Sequence, residues 1–313
     1  MSKQFEHLAN EILITIFDYV SVQDLYRSFW GLNQRLNDLL QSLNKLSVKI
    51  ENNDLSLIET LADRIIRLEV DIPDGVNWSL FPNLRSLTLK RITFPQSNEL
   101  ALAHLPYLTY FSLLSCGFDA SSYLAYQIFT NWFPSLRYVN LSGVGMPYGR
   151  TWSPLPNLRS VYAVCSDPIL LSLIPTACPN LHRLEVKLVS NNCAIGLPSS
   201  SNRHVQAHPL KHFILTDSPG YLRLDKIDFL FTFLSNIENL NLFTHDLPFY
   251  ELVLVLINRL PHLRRFDCNI GQSNAQQSQN VDIDTIRAIR PCFGRIQCIE
   301  RRNGRRLYTT TEE

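Results

Sequence analysis

The feature that most constrains this fold is a phrase that recurs along residues 81–269. Its copies are FPNLRSLTLK, LPYLTYFSLL, FPSLRYVNLS, LPNLRSVYAV, CPNLHRLEVK, HPLKHFILT, LSNIENLNLF and LPHLRRFDCN, and DRIIRLEV at 63–70 is a degenerate copy ahead of them. The proline position of successive copies, or its substitute, recurs every 22 to 29 residues. Such self-similarity is typical of repeat proteins, in which each unit buries its apolar face only against its neighbours.

Each copy combines a helix stop with a strand pattern. Proline ends the preceding helix, and the spacing of Leu84, Leu87 and Leu89 alternates as in a half-buried strand. Helical stretches such as SSYLAYQIFTNW, LDKIDFLFTFL and FYELVLVLINRL lie between copies, and Asp167-Pro168 fits a helix start. Because parallel neighbouring strands need crossover connections, the sequence predicts a curved solenoid of parallel strands and helices.

The first 45 residues have a different texture. In LANEILITIFDYVSVQDL, residues 8–25, apolar side chains surround most of a helix and leave a polar strip of roughly 80°. A second helical register follows the predicted N-cap Ser21, with a break at Gly31. A helix that packs with one face needs an apolar stripe of only about 100° or somewhat more. We therefore expect a small helical unit with more apolar surface than one packing face needs.

Composition excludes several classes of protein. The net charge of +1 gives no overall field for nucleic acid or an anionic membrane. The seven cysteines never form a Cys-x-x-Cys spacing, which argues against a disulfide framework or a structural zinc site and favours a reducing compartment. No apolar run approaches a membrane span, and Glu6 and Glu11 interrupt any signal peptide. We expect a soluble protein of the cytoplasm or nucleus.

Both regions resemble known families. Residues 2–49 resemble an F-box, and the matching positions are Leu8, Glu11, Ile12, Leu13, Ile16, Phe17, Tyr19, Val20, Asp24 and Leu25. The chain departs from that family at Ala9, where the family has proline, and at Arg35, which is all that remains of its Arg-x-Trp signature. Residues 50–313 resemble leucine-rich repeats, and LTYFSLLSCGF matches that family's pattern with Cys116 at the turn. The other copies lack the turn residue, so the family's asparagine ladder should be missing. The predicted fold is α/β, a small helical F-box followed by an irregular leucine-rich-repeat solenoid.

The F-box resemblance implies a partner for the N-terminal helices. In that family they bind the Skp-type adaptor of a cullin–RING ubiquitin ligase, which implies adaptor contacts at Leu8, Glu11, Ile12, Leu13, Ile16, Phe17 and Leu25. Leaving three or four large aliphatic side chains exposed would forfeit roughly 5–12 kcal/mol, comparable with the stability of a domain. The alternative is a solenoid cap covered by its own chain, in a scaffold without a ligase.

Target contacts are expected on the outward positions of the strands. Parallel neighbouring strands lie about 4.8 Å apart, so Tyr110 and Tyr138 should be lateral neighbours. Tyrosine and arginine are favoured interface anchors, although tyrosine also suits any half-buried sheet. The predicted target-binding residues are Tyr110, Tyr138, Tyr162, Arg183, Glu185, Lys187 and Arg265.

Other motifs point to ordinary structure. His204, His208 and His212 recur every four residues, which on a helix would align them as metal ligands, but Pro209 breaks such a helix. In SGVGMPYGR the third glycine is at the wrong position for a dinucleotide-binding loop. Asp282 and Asp284 suit a helix start. Asn303-Gly304 predicts a C-terminal hairpin whose arginines form a basic cluster, where nucleic-acid or acidic-peptide binding is the alternative to a solvated edge. We predict no catalytic residues, metal or cofactor.

Overall fold

The computed structural model forms one sheet of twelve strands. It describes residues 7–50, 59–72, 74–114, 118–142, 152–165, 170–189, 208–218, 220, 222–272, 283–300 and 305–310. The first ten strands follow chain order and pair in parallel, the twelfth pairs antiparallel with the tenth, and the eleventh pairs antiparallel with the twelfth at the edge of the sheet. This confirms the predicted α/β class with a mostly parallel, open sheet. Among the described residues, every helix is too short or too polar to cross a lipid bilayer.

Eight of the twelve strands coincide with the copies of the repeated phrase at 81–269. The strands are β1 Leu46–Ile50, β2 Ile65–Val70, β3 Ser86–Leu89, β4 Tyr110–Leu113, β5 Tyr138–Leu141, β6 Ser160–Cys165, β7 Arg183–Leu188, β8 His212–Asp217, β9 Asn239–His245, β10 Arg265–Gln272, β11 Gln297–Glu300 and β12 Arg306–Thr309. In each copy of the phrase the strand begins two residues after the first leucine or isoleucine, as at Leu84 and Ser86. The degenerate copy at 63–70 forms β2, as predicted.

Helices occupy the segments between strands. They are α1 Asn10–Phe17, α2 Val22–Phe29, α3 Gln34–Ser42, α4 Phe94–Leu102, α5 Phe118–Phe129, α6 Leu170–Ala177, α7 Leu224–Phe233, α8 Phe249–Arg259 and α9 Ile283–Ile289. The three predicted crossover helices are confirmed as α5, α7 and α8. The predicted cap at Asp167-Pro168 lies outside the described residues.

The core lies on one face of the sheet. Along β8 and β9, inward residues such as Phe213 and Leu242 are fully buried, whereas outward neighbours such as Ile214 and Asn241 remain partly exposed. The buried apolar residues form one continuous cluster from Leu13 in α1 to Tyr308 in β12. Stacked units therefore share a single core, and within the described residues the outer face of the sheet has no second layer of strands or helices packed on it.

Two sets of lateral hydrogen bonds hold adjacent copies together just before the strands. The carbonyl of Arg85 accepts the amide hydrogens of Thr109 (2.8 Å) and Tyr110 (2.9 Å), and the same doubled acceptor recurs in the following copies. In addition, the side chains of Asn83, Ser135, Asn157, Asn180 and Asn236 each donate to a carbonyl of the preceding copy. We call these five residues the loop ladder, and it ties the loops of neighbouring copies together.

The N-terminal helices are joined to the start of the sheet. Ser21 caps α2 by accepting from the amide of Asp24 at 3.1 Å, as predicted, and Gly31 has φ +83° at the predicted break. The side chain of Gln23 donates to the carbonyl of Lys49, a residue of β1. Because β1 begins at Leu46, the sheet starts within the segment assigned by resemblance to the F-box.

Candidate functional site

The N-terminal helices leave large apolar side chains exposed. Ile12 is 49% exposed, Ile14 37% and Tyr19 87%, while Trp30 and Leu32 at the end of α2 are 44% and 59% exposed. Ile12 and Ile16 lie one turn apart on α1, and Ile16 is half-buried. We call Leu8, Ile12 and Ile16, which follow each other at four-residue spacing, the N-terminal apolar stripe.

The structure divides the residues that the F-box resemblance assigned to adaptor contacts into two groups. Leu13, Phe17 and Leu25 are 0%, 2% and 1% exposed, so they support the helices from inside and offer no surface. Leu8, Glu11, Ile12 and Ile16 keep some or most of their surface accessible. Any adaptor contact in this conformation therefore involves the second group.

The α1 helix is held at its two ends. The guanidinium of Arg35 donates to Asn10 Oδ1 at 2.9 and 2.6 Å and to the carbonyl of Leu8 at 2.5 Å. At the other end the rings of Phe17 and Phe29 lie 5.4 Å apart. These contacts fix both ends of α1, while Ile12 near its start is half exposed among the described residues.

A second candidate surface is the outer face of the sheet. Tyr110 and Tyr138 are register partners on β4 and β5, which confirms that they are lateral neighbours, and they are 38% and 49% exposed. Tyr162 on β6 is the register partner of Glu185 on β7 and is half-buried. Burial, followed by the nearby Glu185 carboxylate, raises the pKa of Tyr162, so the phenol stays protonated and can donate a hydrogen bond.

The charged residues predicted to bind a target differ in how far they are already paired. Arg183 bonds Glu185 at 3.2 Å, and Arg265 bonds Asp267 at 2.6 Å. Asp267 is also bonded by Arg295. Lys187 is exposed on β7. The tyrosines and Lys187 are therefore more available to a partner than the two paired arginines.

A hollow lies at one edge of this face, at the loops just before β3 to β6. It is an open depression of about 520 Å³ lined by Arg85, Tyr107, Thr109, Ser135, Arg137, Tyr138 and Asn157. Of these residues only Tyr138 was predicted as a contact. The available sequence signal was the residue just after the first leucine of each phrase, which is basic in six copies: Arg85, Arg137, Arg159, His182, Lys211 and Arg264.

The histidine motif has a structural role. His208 Nε2 lies 2.9 Å from the carbonyl of Cys178, and its Nδ1 accepts from the amide of Leu210 at 3.1 Å. Burial lowers the pKa of His208, which favours the neutral ring that this arrangement requires. His212 lies on β8, and His204 is outside the described residues, so the structure brings no three histidines together in the part it describes.

The remaining sequence motifs are partly described. Asp284 lies in the first turn of α9, as expected for a helix start, and β11 and β12 pair as the predicted hairpin. Asp282, the glycines of 143–149 and the turn at Asn303-Gly304 lie outside the described residues. Within the described ranges, no group of three or more histidine, cysteine, aspartate or glutamate side chains could hold a metal.

Comparison with protein-family models found no match for this chain, and comparison with curated proteins found no significant relative.

Proposed function

We propose that the chain is a substrate receptor of a Skp–cullin–F-box ubiquitin ligase. In this proposal the N-terminal helices bind a Skp-type adaptor, and the leucine-rich-repeat-like sheet binds a target protein. The receptor itself carries no catalytic residue. It raises the effective concentration of the target near the ubiquitin-charged enzyme that other subunits supply.

The observation that carries the proposal is the exposure of the N-terminal apolar stripe. Ile12 is 49% exposed although α1 is anchored at both ends, so its surface is not hidden by the described part of its own chain. Contiguous apolar surface on a folded protein commonly marks a partner interface. The order and spacing of the F-box-like positions in residues 2–49 supply the identity of the proposed partner.

The experiment is a binding titration of the full chain with a purified Skp-type adaptor. Ile12→Asp should weaken binding about 30-fold, or roughly 2 kcal/mol, because the interface loses apolar contact and buries an unpaired carboxylate. Ile289→Asp is a matched control, because Ile289 is 39% exposed on the helix nearest the C-terminus. It should bind as wild type. Failure of the wild-type chain to bind, or unchanged binding by Ile12→Asp, would contradict the proposal.

The alternative is an interaction scaffold whose N-terminal helices cap the solenoid. It is favoured by the bonds that tie these helices to the first strands, from Gln23 to the carbonyl of Lys49 and from Arg64 to the carbonyl of Gln41 at 2.5 Å. Terminal repeats require such caps. A folded chain that captures targets but fails to bind the adaptor would support the scaffold instead.

A further inference from the structure

Basic side chains are concentrated at one edge of the sheet's outer face. The residue just before each repeat strand is basic in six of eight copies, and the two exceptions are Thr109 and Glu238. Glu238 is paired with Lys211 at 2.8 Å and with Arg264 at 3.7 Å near the last strands. Toward the first strands, Arg85 and Arg137 flank Thr109, and the described residues supply no carboxylate within ion-pair distance of either guanidinium.

The backbone fixes the spacing of these two arginines. The carbonyl of Arg85 accepts two amide hydrogens from the β4 copy, and the carbonyl of Thr109 accepts those of Arg137 (2.9 Å) and Tyr138 (3.0 Å) from the β5 copy. Adjacent strands lie about 4.8 Å apart, so Arg85 and Arg137 start roughly 9.6 Å apart on one line. An extended peptide in the polyproline II conformation has about three residues per turn and advances about 3.1 Å per residue, so its side chains three residues apart lie on one face and match this spacing.

Two tyrosines complete the depression between these arginines. Tyr138 is 49% exposed, and Tyr107 is 57% exposed at a position where neighbouring copies carry a loop-ladder residue. Asn83 and Ser135 at that position donate to the preceding copy, whereas Tyr107 lines the depression. Tyrosine and arginine are both enriched among the residues that dominate the binding energy of protein interfaces.

We propose that this depression binds an acidic, extended segment of a partner protein, with two carboxylates three residues apart held by Arg85 and Arg137. The tyrosine rings contact the apolar parts of the intervening residues. Guanidinium groups suit this role because they form charge-assisted, bidentate bonds with carboxylates. The inference names the target chemistry for the receptor proposed above and depends only on its target-binding half.

The observations favour a peptide over nucleic acid. The depression is lined by the copies of four neighbouring strands, about 14 Å across, whereas nucleic-acid binding rests on many phosphate contacts along a continuous basic surface. Along the sheet, carboxylates of Glu185 and Asp267 interrupt the outer face. The chain as a whole also carries a net charge of only +1. A short acidic segment fits this local field better than a phosphate backbone does.

The test uses the full chain without any adaptor and measures fluorescence anisotropy of labelled twelve-residue peptides. One library fixes glutamate at two positions three residues apart, and the matched library has glutamine there. We expect binding to the glutamate library to exceed binding to the glutamine library and to weaken as salt rises. The Arg85→Gln/Arg137→Gln variant should bind the glutamate library about tenfold more weakly. Arg264→Gln, which changes a basic residue of the same edge that is paired with Glu238, should bind as wild type.

Three outcomes would overturn the proposal. One is equal binding of the two libraries by the wild-type chain, and another is unchanged binding by the folded Arg85/Arg137 double variant. The third is binding of a phosphoserine library or of single-stranded RNA without any preference for glutamate over glutamine. Because no adaptor is present, each result is independent of the adaptor titration. A chain that binds acidic peptides but not the adaptor would keep this inference and lose the ligase assignment.

Discussion

Helices α1 and α8 are both rich in apolar residues, but the chain covers them differently. In α8, Leu252 and Leu256 are fully buried, and the C-terminal end of the helix is bonded on two sides, because Arg259 donates to Asp228 of α7 and Arg290, which follows α9, donates to the carbonyl of Ile257. In α1, Leu13 is equally buried, yet Ile12 beside it is 49% exposed. The difference is one of degree, since α8 exposes one large aliphatic side chain, Leu254 at 40%, whereas the shorter α1 exposes both Ile12 and Ile14.

Alanine substitutions in the two helices should change the free energy of unfolding of the chain by clearly different amounts. Leu256→Ala should lower the free energy of unfolding by about 3 kcal/mol, because it removes buried methyl groups and leaves a cavity. Ile12→Ala should cost less than about 1 kcal/mol, because half of that side chain already contacts solvent. Urea unfolding monitored by circular dichroism measures both values.

A matched variant tests whether exposure, and not position in the chain, decides the outcome. Leu13→Ala changes a fully buried residue of the same α1 helix and should cost nearly as much as Leu256→Ala. If Leu13→Ala and Ile12→Ala were equally mild, α1 would not share the continuous core, and the comparison between the two helices would fail.

The loop ladder should make the next largest contribution to the free energy of unfolding. Asn180→Ala removes the amide that donates to the carbonyl of Pro156 at 2.9 Å, and it should cost about 1 kcal/mol. Asn258→Ala is the control, because Asn258 is exposed on α8, where alanine is a good helix former. Thermal unfolding compares the two variants. Equal midpoints would mean that the ladder contributes nothing beyond the strand bonds.

The sequence predicted the repeating elements because their signals are local. Proline, the spaced leucines and the intervening helical stretches each act within one copy, so β3 to β10 and α5, α7 and α8 follow from the phrase. The loop ladder was missed because Asn83 and its equivalents bond a carbonyl that lies twenty or more residues away in the chain.

The candidate surfaces were predicted less completely for a related reason. A helical period gives the angle of Leu13 relative to Ile12 but not the direction of the core, so buried and exposed residues of α1 were grouped together. On the sheet, the depression depends on Arg85 and Arg137 being aligned by the paired strands. Alternation within a strand identifies outward residues such as Tyr138, but it says nothing of residues just before the strand.

In the β8 copy a histidine, His208, bonds a carbonyl of the preceding copy, as asparagine side chains do in other copies. The stability that this histidine contributes should therefore depend on pH. Burial lowers the pKa of His208, and the nearby His182 lowers it further. Because the folded pKa lies below the unfolded value of 6.5, the unfolded state binds the proton more readily. Stability is therefore fully present above pH 6.5 and falls as the pH decreases below it.

The expected loss between pH 7.5 and pH 5.5 is up to about 1 kcal/mol, measured by urea unfolding. Protonation also removes the Nδ1 acceptor that the amide of Leu210 uses. His208→Gln should remove this part of the pH dependence, since a glutamine amide does not titrate. A variant with the same pH profile as the wild-type chain would assign the loss to other groups.

The ion pair between α7 and α8 should make the smallest contribution to the free energy of unfolding, and it reports directly on how neighbouring helices of the stack interact. Asp228 accepts from Arg259 at 2.7 and 3.0 Å, and this bond lowers the pKa of Asp228 below 3.8. Both side chains are partly exposed, so the coupling should be only about 0.5 kcal/mol. A double-mutant cycle with Asp228→Asn and Arg259→Gln at pH 7 measures it. Because the folded pKa is lowered, the contribution is full above pH 3.8 and is lost as the pH falls through the folded value. A coupling that stayed constant at still lower pH would show that charge plays no part in holding these two helices side by side.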